Sequence, residues 1–201
     1  EFPKEIAAVR LGVKDPSPHV ERAERKLLAR GLKKLKRYPP RLLYYPFWLL
    51  PFKLEYEHGF WKLKRKGKAK GYAIVDAAYP KLFRPPSPKM EVYIVEVRDD
   101  PPALSKARSN ALFVAPRVSS ARAQKLLKEF IKDRGLSPSK LSVRGEKIVY
   151  WPYWIACFKD SSGKRYFFAI DGEKGAYSAH IARLVAAGPL FYVCLLYTSP
   201  S

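Results

Sequence analysis

The chain is poor in several residue types, and each scarcity excludes a class of site. Its 201 residues contain two cysteines, one methionine, one asparagine, one glutamine and one threonine. Cys194 lies in a C-terminal stretch unlike the rest, so Cys157 stands alone, which excludes a disulfide framework and a cysteine-based zinc site. Cys157 is predicted to be a small buried hydrophobic residue. Few thermolabile side chains combined with abundant charge are typical of thermophile proteins.

Motifs for catalysis and cofactor binding are also missing. The sequence has no Gly-x-Gly-x-x-Gly, no phosphate-loop lysine and no Gly-x-Ser-x-Gly element. His19, His58 and His180 are far apart and show no metal-ligand spacing. We therefore expect no catalytic residue, no metal and no small-molecule cofactor, and a protein that is not an enzyme. An enzyme whose active residues lie beyond this sequence stays an alternative.

Acidic residues are scarce relative to basic ones. The chain has 39 lysines and arginines against 18 aspartates and glutamates, which gives a net charge of +21. Thermal adaptation usually balances lysine with glutamate, so it does not account for this excess. A charge of this size creates a field that concentrates polyanions near the surface. The expected partners are nucleic acid, an anionic membrane surface or an acidic partner domain.

No apolar run reaches the ~20 residues that span a bilayer. Residues 184–193 are apolar and either begin a membrane helix or complete a sheet, and the sequence leaves both open. Residues 194–201 resemble a translated sequencing adapter, and the chain opens at Glu1 without a methionine. We therefore expect a metagenomic fragment that is truncated at both ends, and a cytoplasmic location.

The most informative feature present is an internal repeat. The pentapeptide at 44–48, Tyr-Tyr-Pro-Phe-Trp, recurs at 150–154 as Tyr-Trp-Pro-Tyr-Trp. Downstream matches are Phe52-Lys53 with Phe158-Lys159, and two apolar strands that end in Asp76 and Asp171. Because a repeat fixes the architecture, the sequence predicts an α+β fold of internally duplicated units, each a helix plus an antiparallel sheet.

A basic amphipathic helix is predicted before each copy. The first begins at Ser17, which can cap it, and ends before Pro39-Pro40. Its apolar positions are Ala23, Leu27, Leu28, Leu32 and Leu35. The second begins near Ser119 or Ser120 and ends at Gly135 as a C-terminal cap. Its apolar positions are Ala123, Leu126, Leu127, Phe130 and Ile131.

The aromatic strands are predicted at 42–56 and 148–159, each followed by a hairpin. Pro46 and Pro152 indicate sheet edges or bulges, because proline lacks a ladder donor. The second hairpin turns at 160–163, whereas the first is longer. The predicted division is a first repeat at 15–98, a connecting segment at 99–117, an incomplete second repeat at 118–193 and a tail at 194–201.

The order helix, strand, hairpin, strand and a turn of the Asp-x-x-x-Gly type resembles the PepSY-like arrangement. The resemblance covers residues 119–175 best and residues 17–79 less fully. It implies a short helix packed across an antiparallel sheet. It also implies a non-catalytic accessory or regulatory module that binds or restrains a neighbouring domain of a larger, membrane-anchored protein.

Two basic segments are the candidate polyanion-binding residues. Lysine and arginine contact phosphates without base specificity, and neighbouring aromatic rings can stack on bases. The segment at the hairpin tip, 62–70, contains Lys62, Lys64, Arg65, Lys66, Lys68 and Lys70, next to Phe60 and Trp61 as stacking residues. The helical segment contains Arg22, Arg25, Lys26, Arg30, Lys33, Lys34, Lys36 and Arg37. The alternative for the hairpin is a solvated turn in a lysine-rich protein.

The repeated residues themselves are predicted to be structural. Trp48 and Trp154 are expected to be buried, with the alternating rings facing a core. Asp76 and Asp171 stand at strand ends, where an aspartate normally accepts hydrogen bonds from its own backbone. A catalytic carboxylate pair is the less favoured interpretation of these two residues.

Overall fold

The computed structural model describes residues 6–9, 12–58, 65–87, 94–96 and 111–187. These described residues form three helices and ten strands. The helices are α1 (Ser17–Leu28), α2 (Ser120–Asp133) and α3 (Ala179–Ala186). The strands are β1 (Ile6–Val9), β2 (Lys36–Arg37), β3 (Arg41–His58), β4 (Arg65–Asp76), β5 (Leu82–Ser87), β6 (Ile94–Glu96), β7 (Ala111–Phe113), β8 (Ser137–Val143), β9 (Lys147–Lys159) and β10 (Arg165–Asp171).

The α+β class is therefore confirmed, with mostly antiparallel strand pairs. The chain divides into two compact units, and each draws on both halves of the sequence. Unit 1 comprises residues 1–9, 46–99 and 115–150, and unit 2 comprises residues 10–45, 100–114 and 151–201. The chain thus leaves unit 2 within β3 and leaves unit 1 within β9, so the compact units do not coincide with the sequence segments 15–98 and 118–193.

Unit 1 has a core between α2 and the hairpin of β3 and β4. The hairpin is antiparallel from Phe47 opposite Asp76 to His58 opposite Arg65, and β8 pairs antiparallel with β3 on the other side. The α2 stripe of Ala123, Leu127 and Ile131 packs on Leu50, Phe52, Leu54, Ala73 and Val75. These side chains alternate along the strands, so the helix covers one face of the sheet.

Unit 2 has the corresponding core between α1 and the hairpin of β9 and β10. This hairpin is antiparallel from Tyr153 opposite Asp171 to Lys159 opposite Arg165, and β2 pairs antiparallel with β9. The α1 stripe of Val20, Ala23 and Leu27 packs on Ala156, Phe158 and Ile170. Helix α3 packs against β10 and buries Ile181 and Val185. Cys157 is buried in this unit, as predicted.

The two helices are exchanged between the halves of the sequence. Helix α1 precedes β3 in the chain but packs on β9 and β10, and α2 precedes β9 but packs on β3 and β4. Each core therefore combines a helix from one half with strands from the other. Neither core is complete within one half of the chain.

Helix α1 ends at Leu28, earlier than its apolar spacing predicts. Gly31 adopts φ +83°, and the Leu32 N–H donates back to the Leu27 carbonyl, which closes the helix. Gly135 has φ +71° and the Leu136 N–H donates to the Ile131 carbonyl, so the predicted cap of α2 is confirmed and α1 has the same ending. Leu28, which the apolar spacing assigned to the core side of the helix, is 48% exposed and outside the core.

The helix starts differ from each other. Helix α2 begins at Ser120, within the predicted start, and Ser119 caps it, because the Ser119 side chain accepts a hydrogen bond from the Arg122 N–H. Ser17 does not cap α1, since the residue at that position is Pro16. There the Asp15 side chain accepts from the Ser17 N–H over 2.9 Å.

Candidate polyanion-binding surfaces

Each repeated proline lacks an N–H, so the carbonyl of the residue opposite it is left without a strand partner. In both units that carbonyl accepts a hydrogen bond from the segment that precedes the helix. The Ala77 N–H donates to the Pro46 carbonyl, but Pro46 has no N–H to return to Ala77. The Ala77 carbonyl instead accepts from the N–H groups of Arg117 and Val118, at 2.7 and 2.8 Å. The prolines thus stand where a strand ladder ends, a different position from the predicted edge or bulge.

Unit 2 contains the same hydrogen bonds at its own proline. The Gly172 N–H donates to the Pro152 carbonyl over 2.8 Å. The Gly172 carbonyl accepts from the Val13 N–H over 2.5 Å. Val13 leads into α1 as Val118 leads into α2, so in each unit one proline lets one backbone carbonyl bind the incoming segment.

The side chains of the two repeated tryptophans bind the backbone carbonyls of the same two valines, Val118 and Val13. Trp48 Nε1 donates to the Val118 carbonyl over 2.7 Å, and Trp154 Nε1 donates to the Val13 carbonyl over 2.8 Å. Both tryptophans were predicted to be buried, and both are half-buried and packed against the cores. The indole must reach a carbonyl at the margin of the core, which leaves part of the ring exposed. We call each Pro–Trp–Val arrangement a clasp.

The two repeated aspartates organise the turns beside the clasps. Asp76 Oδ1 accepts from the N–H groups of Ala78 and Tyr79, both at 2.8 Å. Asp171 Oδ1 accepts from the N–H groups of Glu173 and Lys174, at 2.9 and 3.1 Å. Both carboxylates are buried, and the predicted bonding to their own backbone is confirmed.

All eight cations of the predicted helical segment are exposed, but three lie in α1. Those three are Arg22, Arg25 and Lys26. Because α1 ends at Leu28, Arg30, Lys33 and Lys34 belong to the following turns, and Lys36 and Arg37 form β2. We call these eight residues the unit 2 basic surface.

Tyr177 lies beneath the α1 part of this surface. Lys26 Nζ stands 4.4 Å from the centre of the Tyr177 ring, and the Tyr177 hydroxyl donates to the His19 carbonyl over 2.7 Å. Burial raises the pKa of Tyr177, and the charges of Arg22 and Arg25 partly oppose that rise. Lys26 thus stands over the Tyr177 ring, and Arg22 and Arg25 act on the Tyr177 hydroxyl through their charge.

Cations also stand opposite one another on the strands of unit 2. Lys36 on β2 is directly opposite Lys159 on β9, which is directly opposite Arg165 on β10. Like charges in directly opposite pairs destabilise a sheet. A bound anion would relieve that repulsion, so this row extends the positive surface onto the sheet.

The hairpin of unit 1 continues through residues predicted to form its tip. Residues 65–70 belong to β4, because they pair with residues 53–58 of β3. This pairing puts Lys66 opposite Glu57 and Lys68 opposite Glu55, with Lys68 Nζ 3.5 Å from Glu55 Oε1. Lys70 is opposite another cation, Lys53. The composition of 62–70 did not reveal the glutamates because they lie on the preceding strand.

Several predicted residues lie outside the described part of the chain. These are Phe60, Trp61, Lys62 and Lys64, and of Arg65 the structure describes the backbone. In the described ranges, no group of three or more His, Cys, Asp or Glu side chains could hold a metal ion. The helices within those ranges are each too short or too polar to cross a membrane.

Comparison with protein-family models, curated proteins and solved structures finds no match to this chain.

Proposed function

We propose that this protein is a non-enzymatic binding module that contacts nucleic acid or another polyanion. The observation that carries the proposal is the unit 2 basic surface. Its eight exposed cations occur between residues 22 and 37, where Glu24 is the one acid, and the structure pairs Glu24 with Arg37 at 3.6 Å. A concentrated positive surface is the footprint that phosphate backbones require.

The corresponding surface of unit 1 supports this interpretation by contrast. On α2, Glu129 lies 3.8 Å from Arg122 and 4.0 Å from Lys125, so two cations share a carboxylate. The ten residues after α2, 134–143, carry Arg134 and Lys140, whereas the nine residues after α1, 29–37, carry five cations and no acid. Since the two helices pack alike, the extra charge serves no common structural need.

The test is a fluorescence anisotropy titration of labelled single- and double-stranded oligonucleotides at several salt concentrations. The first variant changes Arg22, Arg30, Lys33 and Lys36 to Gln. The matched control changes Arg122, Lys125, Lys128 and Lys132 to Gln, which removes the same charge from exposed positions on α2. We expect the first variant to bind more weakly and to lose up to about 0.7–0.9 of logarithmic salt slope per phosphate contact. The control is expected to keep the wild-type slope.

Equal losses in the two variants would mean that net charge alone attracts the probe, which contradicts a localised surface. Absence of wild-type binding near physiological salt would overturn the proposal as a whole. A wild-type protein that prefers vesicles of anionic lipid to both oligonucleotides would turn the assignment to a membrane surface.

We further propose that the two units arose by internal duplication. The support is the agreement of the clasps, the aspartate turns, the helix ends and the strand registers. In both units the tryptophan is opposite the residue that precedes the turn aspartate, as Trp48 opposite Val75 and Trp154 opposite Ile170. Both helices end with the same pair of backbone hydrogen bonds around a glycine.

A PepSY-like accessory or regulatory module is the second candidate. Each unit packs one helix across an antiparallel strand pair that ends in an aspartate turn, which favours this candidate. Such a module would bind a partner domain or an anionic membrane surface through its charge. Cosedimentation with vesicles of phosphatidylserine and of neutral lipid tests it, and equal pelleting with both kinds of vesicle would contradict the membrane form.

A further inference from the structure

The face of the unit 1 sheet opposite α2 combines exposed cations with an exposed aromatic ring. Phe52 and Leu54 of β3 face α2, so Lys53 and Glu55 face the other way. Cross-strand partners share a face, which adds Lys70 and Lys68 of β4. Lys53, Glu55, Lys68 and Lys70 are exposed.

Tyr72 lies on this face at the next position along β4 from Lys70. It is opposite Pro51, and it is 38% exposed. Tyr72 and Leu28 are the large hydrophobic residues that the described part of the chain leaves most open to solvent. An aromatic side chain on an open sheet, close to cations, is the arrangement that stacks on an unpaired base.

The charges on this face are not equivalent. Lys68 is held by Glu55 at 3.5 Å, and Lys66 is opposite Glu57. Lys53 and Lys70 are directly opposite each other, at a separation of about 5 Å between Cβ atoms for such pairs. Two like charges at this distance favour the binding of an anion between them. Tyr72 is the diagonal neighbour of Lys53, so its ring lies beside that anion position.

We propose that this face binds single-stranded nucleic acid, with Tyr72 stacking on a base and Lys53 and Lys70 contacting the adjacent phosphate. The inference rests on the proposed function and names its ligand class. A single strand is favoured because duplex DNA keeps its bases stacked inside the helix, where Tyr72 cannot stack on them. Lys66 and Lys68, whose charges face glutamates, contribute little. The contact residues thus differ from the stacking pair Phe60 and Trp61 predicted from the sequence.

The experiment measures anisotropy of the full chain with a labelled 12-nucleotide oligothymidylate and with an abasic strand of the same length. The variants are Tyr72→Ala and Tyr72→Phe, because an exposed tyrosine can be truncated without opening the core. We expect Tyr72→Ala to weaken binding of oligothymidylate by about tenfold and binding of the abasic strand by less than about twofold. Tyr72→Phe keeps a ring, so it is expected to stay within about twofold of wild type.

A matched pair of charge variants tests the phosphate contacts. Lys53→Gln with Lys70→Gln is expected to lower the salt slope by about 0.7, which corresponds to the one phosphate of a single strand that the two lysines share. Lys66→Gln with Lys68→Gln removes the same charge from the same face and is expected to change the slope by less than half as much.

Equal weakening of both strands by Tyr72→Ala would overturn base stacking, and equal slopes in the two charge variants would overturn the phosphate assignment. These failures are distinguishable from failure of the proposed function. If the unit 2 variant weakens binding while Tyr72→Ala leaves both probes unchanged, the polyanion module stands and this face is not its single-strand site. If the wild-type protein binds neither probe, both proposals fall together.

Discussion

Unit 1 and unit 2 hold their helices by the same means and differ in what they leave exposed. In unit 1 the sheet face opposite the helix carries exposed Lys53 and Tyr72. The corresponding residues of unit 2 are Lys159 and Phe167, and both are half-buried. After the turn aspartate, unit 1 continues into β5, whereas unit 2 continues into α3, which packs against β10. The units share the clasps, the turn aspartates and the helix ends, and they differ in the exposure of this sheet face and in the element that follows the turn.

This comparison divides the cations into positions that both units carry and positions that one unit carries. The matching pair Lys53 and Lys159 stands opposite a cation in each unit, as Lys70 and Arg165. By contrast, the five cations of residues 29–37 have two counterparts in residues 134–143. The proposed polyanion binding of the unit 2 basic surface rests on the cations that unit 2 carries in excess of unit 1.

The largest expected effect comes from separating the two halves of the chain. Because each core needs a helix from one half and strands from the other, a fragment of residues 1–98 and a fragment of residues 111–201 each lack half of both cores. We expect neither fragment alone to unfold cooperatively, and the mixed fragments to recover a cooperative transition. Thermal unfolding followed by circular dichroism measures this.

Because the two helices and the two hairpins are alike, each helix has a second hairpin, in its own half of the chain, on which it could pack. If α1 could pack on β3 and β4 of its own half, the fragment 1–98 would melt cooperatively by itself. That result would contradict the claim that the exchanged packing is required.

A smaller effect is expected from the clasp tryptophans. Trp48→Phe and Trp154→Phe each remove one N–H donor, and each leaves a valine carbonyl without that bond. We expect each substitution to lower the free energy of unfolding by about 1–2 kcal/mol, as for a lost hydrogen bond that leaves its partner unsatisfied. Guanidinium denaturation of the two variants measures the costs side by side. Costs that differ by more than about 1.5 kcal/mol would show that the two clasps are not equivalent.

The smallest effect is expected at the short hairpin of unit 2. Asp160 Oδ1 accepts from the Ser162 hydroxyl over 2.6 Å and from the N–H groups of Ser162 and Lys164. The Ser162 hydroxyl bond holds the pKa of Asp160 below its usual value of 3.8. The ionised form is therefore favoured by folding, so its contribution is present above pH 3.8 and is lost as the pH falls through the folded pKa.

The measurement compares the stability of wild type and Asp160→Asn between pH 7 and pH 2. We expect a small advantage of wild type that is constant near neutral pH and shrinks below about pH 4. Titration of the Asp160 carboxylate followed by nuclear magnetic resonance shows directly whether its pKa is lowered. An advantage that grows toward acid pH would contradict the assignment of these hydrogen bonds.

Much of the local structure could be predicted from the sequence. The apolar period predicted α2 with its start near Ser119 or Ser120, Gly135 was predicted as its end, and the strand positions agree within two residues with β3 and β9. The turn aspartates were also predicted, because an aspartate at a strand end bonds to nearby N–H groups wherever it occurs. The predicted end of α1 was wrong. Leu32 and Leu35 continue the helical spacing of apolar residues past Gly31, but this spacing does not show that the Gly31 backbone takes a positive φ and ends the helix.

The candidate surfaces were only partly predictable. The eight cations of the unit 2 basic surface were named from composition, and all are exposed. The ion pair between Lys68 and Glu55, and the facing pair of Lys53 and Lys70, depend on the register of β3 against β4. Tyr72 was missed because an aromatic residue in an alternating strand reads equally as core or surface, and the face is set by packing.

The sequence by itself determined the recurrence of the aromatic pentapeptide, the α+β class and most of the local elements, because these depend on residues close together in the chain. The tertiary structure alone decided that α1 belongs with β9 and β10, and α2 with β3 and β4. An apolar stripe does not specify which of two similar sheets it covers. That choice is made by contacts between residues far apart in the chain, 141 positions for Trp154 with Val13 and 70 positions for Trp48 with Val118, whose groups meet only in the folded chain.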